Sequence, residues 1–392
     1  MCQVTRHVLL VFFYLAKRGC RMIKFPNINY KSSSLAIIAS LMGFSSVGVY
    51  SAQAQDYGSV TPIEVKKELA ELGKRLFYDN RLSGDTGLAC ASCHQPDKAF
   101  SDGEALSDAY ADTEHFRNTP TLANVGHKAN WFHDGRIGTN LNDVTRESIT
   151  ETYMMNMDMR IMQERLKQDP IYVDLFDKAG KGEPSNGGVR SAIQEFLKSI
   201  TSTGAPFDSG DMSKSAKAGF DLFVGKAGCV ACHSGNLFSD NKAHNIGVAD
   251  NPDIWSNPDR HVTFVTFAKF QGIENYMNLR MDPGAYTANL NKENMGTFMT
   301  PTLRELTYTA PYMHNGTIAT LEEVVDFYNG GGGEAANIDP LLKPLDLSDG
   351  EKADLVEFLK SLSGNSFDVP AYNPGEFDTD YTVIADWLNK KN

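Results

Sequence analysis

"GLACASCHQPDKAFSDG", residues 87 to 103, sets Cys90 and Cys93 either side of two residues and puts His94 directly behind the second cysteine. Three chemistries use such a triplet: a zinc clip, a redox dithiol and the attachment point of a c-type haem. The pattern returns as "CVACH" at 229 to 233, with Cys229, Cys232 and His233. Zinc sites commonly gather two C-x-x-C pairs about 15 to 20 residues apart around one ion. Here the pairs begin 229 − 90 = 139 residues apart, and each has its own histidine. A dithiol oxidoreductase needs one such pair and gives no role to the trailing histidine. Covalent haem needs two thiols one helical turn apart, to become thioethers with the vinyl groups, and an adjacent imidazole to bind iron from one face. The spacing therefore predicts two covalently bound haem c groups, with His94 and His233 as proximal ligands.

Haem c is attached outside the cytoplasm, and the N-terminus reads accordingly. Residues 35 to 50 (LAIIASLMGFSSVGVY) are an apolar run preceded by Lys31 and followed by Ala52-Gln53-Ala54, the pattern of an export signal cleaved after Ala54. Met22 opens a complete signal by itself, so 22 to 54 reads as the signal within a leader of 1 to 54. A further apolar run, 8 to 16, is too short to span a bilayer. Cleavage removes Cys2 and Cys20 and leaves four cysteines, all in the two C-x-x-C-H units. It also removes six basic residues and no acidic ones, so the mature chain carries 37 − 6 = 31 basic against 49 acidic side chains, a formal charge of −18. Such a balance argues against nucleic acid as a partner and suits a basic protein partner or a soluble acidic surface. No stable membrane span is expected after cleavage.

A second echo follows each haem motif. "NTPTL…NWFHDGRIGTNLNDV" (118 to 144) is answered by "MTPTL…PYMHNGTIATLEEVV" (299 to 325), with Thr119 matching Thr300 and His133 matching His314 at one offset of 181. The chain reads as an internal duplication with insertions, its seam near the Gly-, Ser- and Pro-rich stretch 202 to 216. Helical periodicity dominates: 62 to 79 carries Leu69, Leu72, Leu76 and Phe77, and 191 to 202 carries Ile193, Phe196, Leu197 and Ile200. Ser348 with Glu351 three residues on predicts a capped helix over 347 to 364. Strand signals are few, and "HVTFVTFAKF" (261 to 270) is the best of them.

Together, the segments 71 to 103, 225 to 240 and 300 to 331 resemble the bacterial di-haem cytochrome c peroxidase family, which includes MauG. The resemblance covers roughly residues 62 to 364. It implies a mainly α fold of two cytochrome c-like haem domains: 55 to 205 with the peroxidatic haem on His94, and 206 to 392 with the electron-transfer haem on His233. It also implies a periplasmic location and a calcium ion between the halves, touching Asn118 and the carbonyls of Thr309 and Pro311. The family's second axial ligand to the C-terminal haem lies 14 residues after the His of the PY-x-H motif, which gives Tyr328 here, with Met281, Met295, Met299 and Met313 as substitutes.

Three departures from the family pattern bear on mechanism. Sixteen residues after His94, where family peroxidases bring a loop histidine to the peroxidatic haem, stands Tyr110, with His115 nearby. This predicts an open, five-coordinate site. The inter-haem Trp before Asp-Gly-Arg is replaced by His133, with Trp131 two residues earlier, so electron exchange is expected to use either of them. Alignment places Met154 where the family's distal carboxylate stands, and Glu151, or failing it Glu147, is the expected proton carrier.

Three functions fit these residues. The first is a peroxidase reducing hydrogen peroxide to water with electrons from a small periplasmic cytochrome c or cupredoxin. The second is a MauG-like enzyme that holds peroxide-derived oxidising equivalents across both haems and spends them on an aromatic side chain of a protein substrate. The third is an electron-transfer cytochrome with both irons closed, which the tyrosine at 110 argues against.

Overall fold

The apolar stripe Leu69, Leu72, Leu76 and Phe77 becomes the buried face of helix α1, Lys67–Phe77, in the computed structural model of the chain, which describes residues 57–111 and 113–364. Eight more helices of at least two turns follow: α2 Leu141–Thr150, α3 Met159–Lys167, α4 Pro170–Lys178, α5 Asn186–Ser199, α6 Lys214–Val224, α7 Pro258–Phe270, α8 Leu321–Asn329 and α9 Asp349–Lys360. Among the described residues strand is confined to a two-residue antiparallel pair, β1 Ala243–His244 with β2 Phe298–Met299, in register Ala243↔Met299 and His244↔Phe298. The fold is mainly α. The leader, its two cysteines and residues 365–392 lie outside the described residues. Among the described residues no helix is long and apolar enough to cross a membrane.

Most helix starts follow from local chemistry. Ser185, Ser213, Thr320 and Ser348 each accept a backbone N–H of their first turn, and Thr320/Glu323 and Ser348/Glu351 form reciprocal capping boxes. The last helix stops at Lys360, four residues short of the expected Gly364.

The best strand signal in the sequence is a helix. Residues 261 to 270 belong to α7, where the Asn257 side chain caps the amides of Asp259 and Arg260 and Pro258 occupies the first turn. The alternation of Val, Thr and Phe imitates a period of two. Burial follows a period of 3.6 instead: Thr263, Phe264, Phe267 and Ala268 face inward, while Val262 and Phe270 are exposed.

Two helix crossings, built alike, hold two cores. The first core draws on residues 69 to 200 and the second on 223 to 362. α1 packs on α5 and α6 on α9, and in each a glycine lets the backbones touch. A methyl on Gly73 would lie 1.9 Å from the Ala192 carbonyl oxygen, and one on Gly219 would lie 2.0 Å from that of Asp354. A third cluster, Leu106, Phe116, Tyr153, Ile254, Phe264 and Phe267, packs α7 against the 106–153 segment.

Candidate active site

Each C-x-x-C-H unit opens onto a cavity. Cys90 and Cys93 bound a single helical turn, and with His94 they line a cavity of about 190 Å³. Cys229, Cys232 and His233 line another of about 320 Å³. The walls are largely apolar: Phe77, Leu141, Ile149 and Leu197 in the first, and Phe223, Leu321, Val325 and Leu359 in the second. The four thiols form no disulfide. Burial pushes Cys90, Cys93 and Cys229 up to about 12, the opposite of the low values that redox-active thiols require. Among the described residues no three His, Cys, Asp or Glu side chains converge as a metal set, and the two cysteine pairs line different cavities.

The two histidines are held identically. His94 Nδ1 donates to the Phe100 carbonyl at 2.9 Å, and His233 Nδ1 donates to the Phe238 carbonyl at 2.9 Å. A carbonyl can only accept, so the ring proton sits on Nδ1 and the Nε2 lone pair is free to bind a metal. Burial lowers the pKa of both rings, which keeps them neutral. A thiol pair, an imidazole with a fixed tautomer and an apolar slot in front of them suit a haem, twice.

The cavities share a wall. Asn118, Lys128, Phe132 and His133 border both. His133 Nε2 donates to the Asn118 carbonyl at 2.9 Å, and its own carbonyl accepts the Met299 amide at 2.8 Å. Burial brings the His133 ring down to about 4, so it stands neutral between the sites. Trp131 borders the first cavity only, with its indole N–H buried and unpaired among the described residues. Asn118 also joins the halves: its amide N–H donates to the His314 carbonyl at 2.8 Å. Its side-chain nitrogen is taken by the Glu104 carbonyl at 2.6 Å, which leaves Oδ1 as the free end. Thr309 and Pro311 border the same cavity as Asn118. The three residues expected at calcium thus border one cavity and offer oxygen atoms, the donors a hard cation takes.

Of the expected axial ligands to the second site, Tyr328, Met299 and Met313 line the cavity of His233, whereas Met281 and Met295 do not. Tyr328 comes from α8, and burial holds its phenol well above the usual range. At the first site Tyr110 is not on the wall and His115 is. His115 Nδ1 accepts the Arg117 amide N–H at 3.0 Å, so the neutral ring carries its proton on Nε2 and offers no lone pair there. Burial and the Arg117 and Arg136 guanidinium groups bring it down to about 3.

Glu151 is placed away from this chemistry. It ends α2, its carboxylate accepts the amide of Thr152 at 3.0 Å, and it does not line the cavity. Glu147 sits 3.9 Å from Arg136 and does not line it either. Met154, at the position of the family carboxylate, is on the wall. Motif spacing does not point to the buried network beneath it. Arg117 binds Asp282 through two bonds of 2.7 Å and Asp134 through one of 2.6 Å, and Arg136 shares Asp134 at 3.1 Å. The residues involved lie as much as 282 − 117 = 165 positions apart, a separation no local pattern carries.

The chain matches the di-haem cytochrome c peroxidase family profile over residues 67–216. It is 44% identical over 359 residues to cytochrome-c peroxidase IdrP2 of Denitromonas iodatirespirans, covering 88% of this chain and 97% of that protein. It is 36% identical over 303 residues to the methylamine utilization protein MauG of Methylorubrum extorquens, covering 75% and 78%. Among solved structures it resembles a MauG-like protein associated with microbial copper homeostasis, with a TM-score of 0.66 and 26% identity over 81% of this chain and 96% of that one.

Proposed function

The chain belongs to the di-haem cytochrome c peroxidase family, a family of peroxidase oxidoreductases carrying haem c, and from that membership we propose a periplasmic enzyme that reduces hydrogen peroxide to water. Electrons would arrive singly from a small cytochrome c or cupredoxin, enter at the His233 site and be used at the His94 site. The observation that carries this reading is the pair of like-built cavities, each fronted by a C-x-x-C-H unit, that share one wall, with His133 bordering both.

Cys90, Cys93 and His94 would hold one haem and Cys229, Cys232 and His233 the other. When bound, the haem supplies the iron at which peroxide is reduced and the redox centre through which electrons pass. The chain's own residues divide the remaining work. Phe100 and Phe238, through their carbonyls, orient the two proximal imidazoles and raise their basicity. Phe77, Leu141 and Ile149 exclude water from the first site. With Tyr110 off the wall and His115 carrying its proton on Nε2, neither the loop position nor His115 offers an imidazole Nε2 lone pair to compete with peroxide there. Hydrogen-bond donation at the first site falls to the wall rather than to Glu151: His115 offers an N–H at Nε2, and Tyr153 a phenol O–H whose pKa burial raises. His133, neutral and bordering both cavities, is the side chain best placed for electron exchange, with Trp131 behind it. A calcium ion at Asn118, Thr309 and Pro311 would fix the separation of the two sites.

A second reading rests on Tyr328. A phenolate ligand stabilises ferric and higher oxidation states, which favours a MauG-like enzyme that oxidises an aromatic side chain of a protein substrate. Rapid mixing of the reduced enzyme with peroxide in the presence of a reduced small cytochrome tests both. Continuous oxidation of the cytochrome at two electrons per peroxide supports the peroxidase. Consumption of peroxide with no cytochrome turnover supports the second reading.

A further inference from the structure

The shared wall contains one group the proposed reaction leaves without a role. Lys128 follows the single 3-10 turn Val125–His127, and its side chain runs between the two cavities, bordering both. Among the described residues it is the only lysine or arginine that does so. Arg117 and Arg136, on the wall of the first cavity, are committed to Asp282 and Asp134. The Lys128 ammonium makes no hydrogen bond or ion pair with any described residue, and its charge acts on the His133 ring beside it. Burial brings its pKa down to about 8, with no carboxylate among the described residues offsetting the loss of water. Half-buried on the wall of two largely apolar cavities, with no carboxylate beside it among the described residues, this ammonium is an unmatched positive charge that an anion placed in either cavity would compensate.

We infer that Lys128 is the common counter-charge of the two haems, its ammonium pairing with a propionate carboxylate from each side of the wall. The inference rests on the di-haem reading above and concerns this chain's own charge placement. Each haem brings two carboxylates, and an ammonium with three donors on a flexible stem can serve acceptors on two sides at once, which a planar guanidinium does less easily. A positive charge held between the haems also disfavours the ferric state of both, raising both reduction potentials together and linking the two sites electrostatically.

The test is spectroelectrochemistry of the holoprotein and of two variants, with haem counted in each. In Lys128→Met both midpoint potentials should fall, while Lys128→Arg, which keeps the charge, should stay near the wild type. If neither potential moves, if only one does, or if Lys128→Arg falls as far as Lys128→Met, the inference is overturned. Should Lys128→Met fail to mature with two haems, a crystal structure of the wild-type holoprotein decides. Lys128 Nζ within about 3.2 Å of a propionate oxygen of each haem upholds the inference; Nζ bonded to another anion, or to one haem only, refutes it. Wild-type protein with fewer than two haems would instead refute the di-haem reading. Two haems with unmoved potentials would refute only the role of Lys128.

Discussion

Two carbonyls decide what His94 and His233 can do. Because the Phe100 and Phe238 carbonyls each accept a hydrogen bond from Nδ1–H, Nε2 is left as a ligand atom, and this much is invisible in the motif that announces the histidines. His115 has the reverse arrangement, since a backbone amide occupies its Nδ1. The motif places the attachment residues; the tautomers depend on backbone groups two, five or six residues downstream, which only folding brings into range. The assignment of hydrogen-bond donation to His115 follows from this contrast. In His115→Leu, which removes the donor, the second-order rate constant with peroxide should drop by about 10² to 10³-fold at unchanged haem content, while Glu151→Gln should react like the wild type. Stopped-flow mixing measures both, and the reverse pattern would return the role to Glu151. Tyr328→Phe should alter the low-spin absorption and magnetic spectra of the second site. An unchanged spectrum would pass the ligand role to Met299 or Met313, which share that cavity.

At the scale of elements, the crossings α1 on α5 and α6 on α9 set the depth of the two cavities, and both depend on a hydrogen in place of a side chain. Gly73→Ala and Gly219→Ala should each destabilise the protein by about 1 to 3 kcal/mol, read from thermal unfolding, because a backbone carbonyl rather than a movable side chain stands in the way. An alanine tolerated without loss at either position would show the helices free to separate. Helix periodicity and the Ser348/Glu351 box were readable in the sequence because they are local. α7 was not: its Val, Thr and Phe residues carry strand propensity, and the cap by Asn257 together with the aromatic cluster around Phe116 overrides it.

For the whole molecule, the function proposed requires the two sites to keep one separation, and the bonds that cross between distant segments provide for that. Arg117 to Asp282 is the most buried of them, both side chains being at most 3% exposed. Asp282→Asn should cost about 3 kcal/mol or more in denaturant unfolding, because it leaves the guanidinium partly uncompensated in a dry setting. A loss no larger than that of a surface ion pair, under about 1 kcal/mol, would contradict the role given to it. Removing calcium with a chelator should slow electron exchange between the sites without releasing haem, and an unchanged rate would remove calcium from the account. The duplicated motifs made two sites legible in the sequence. The wall between them was not, because Lys128, His133 and Asn118 gain their meaning from facing both cavities at once. The measurement that tests the account most directly is quantitative electron paramagnetic resonance of the purified diferric protein. The account predicts two ferric irons per chain, one high-spin at His94 and one low-spin at His233; two low-spin signals, or fewer than two irons, would contradict it.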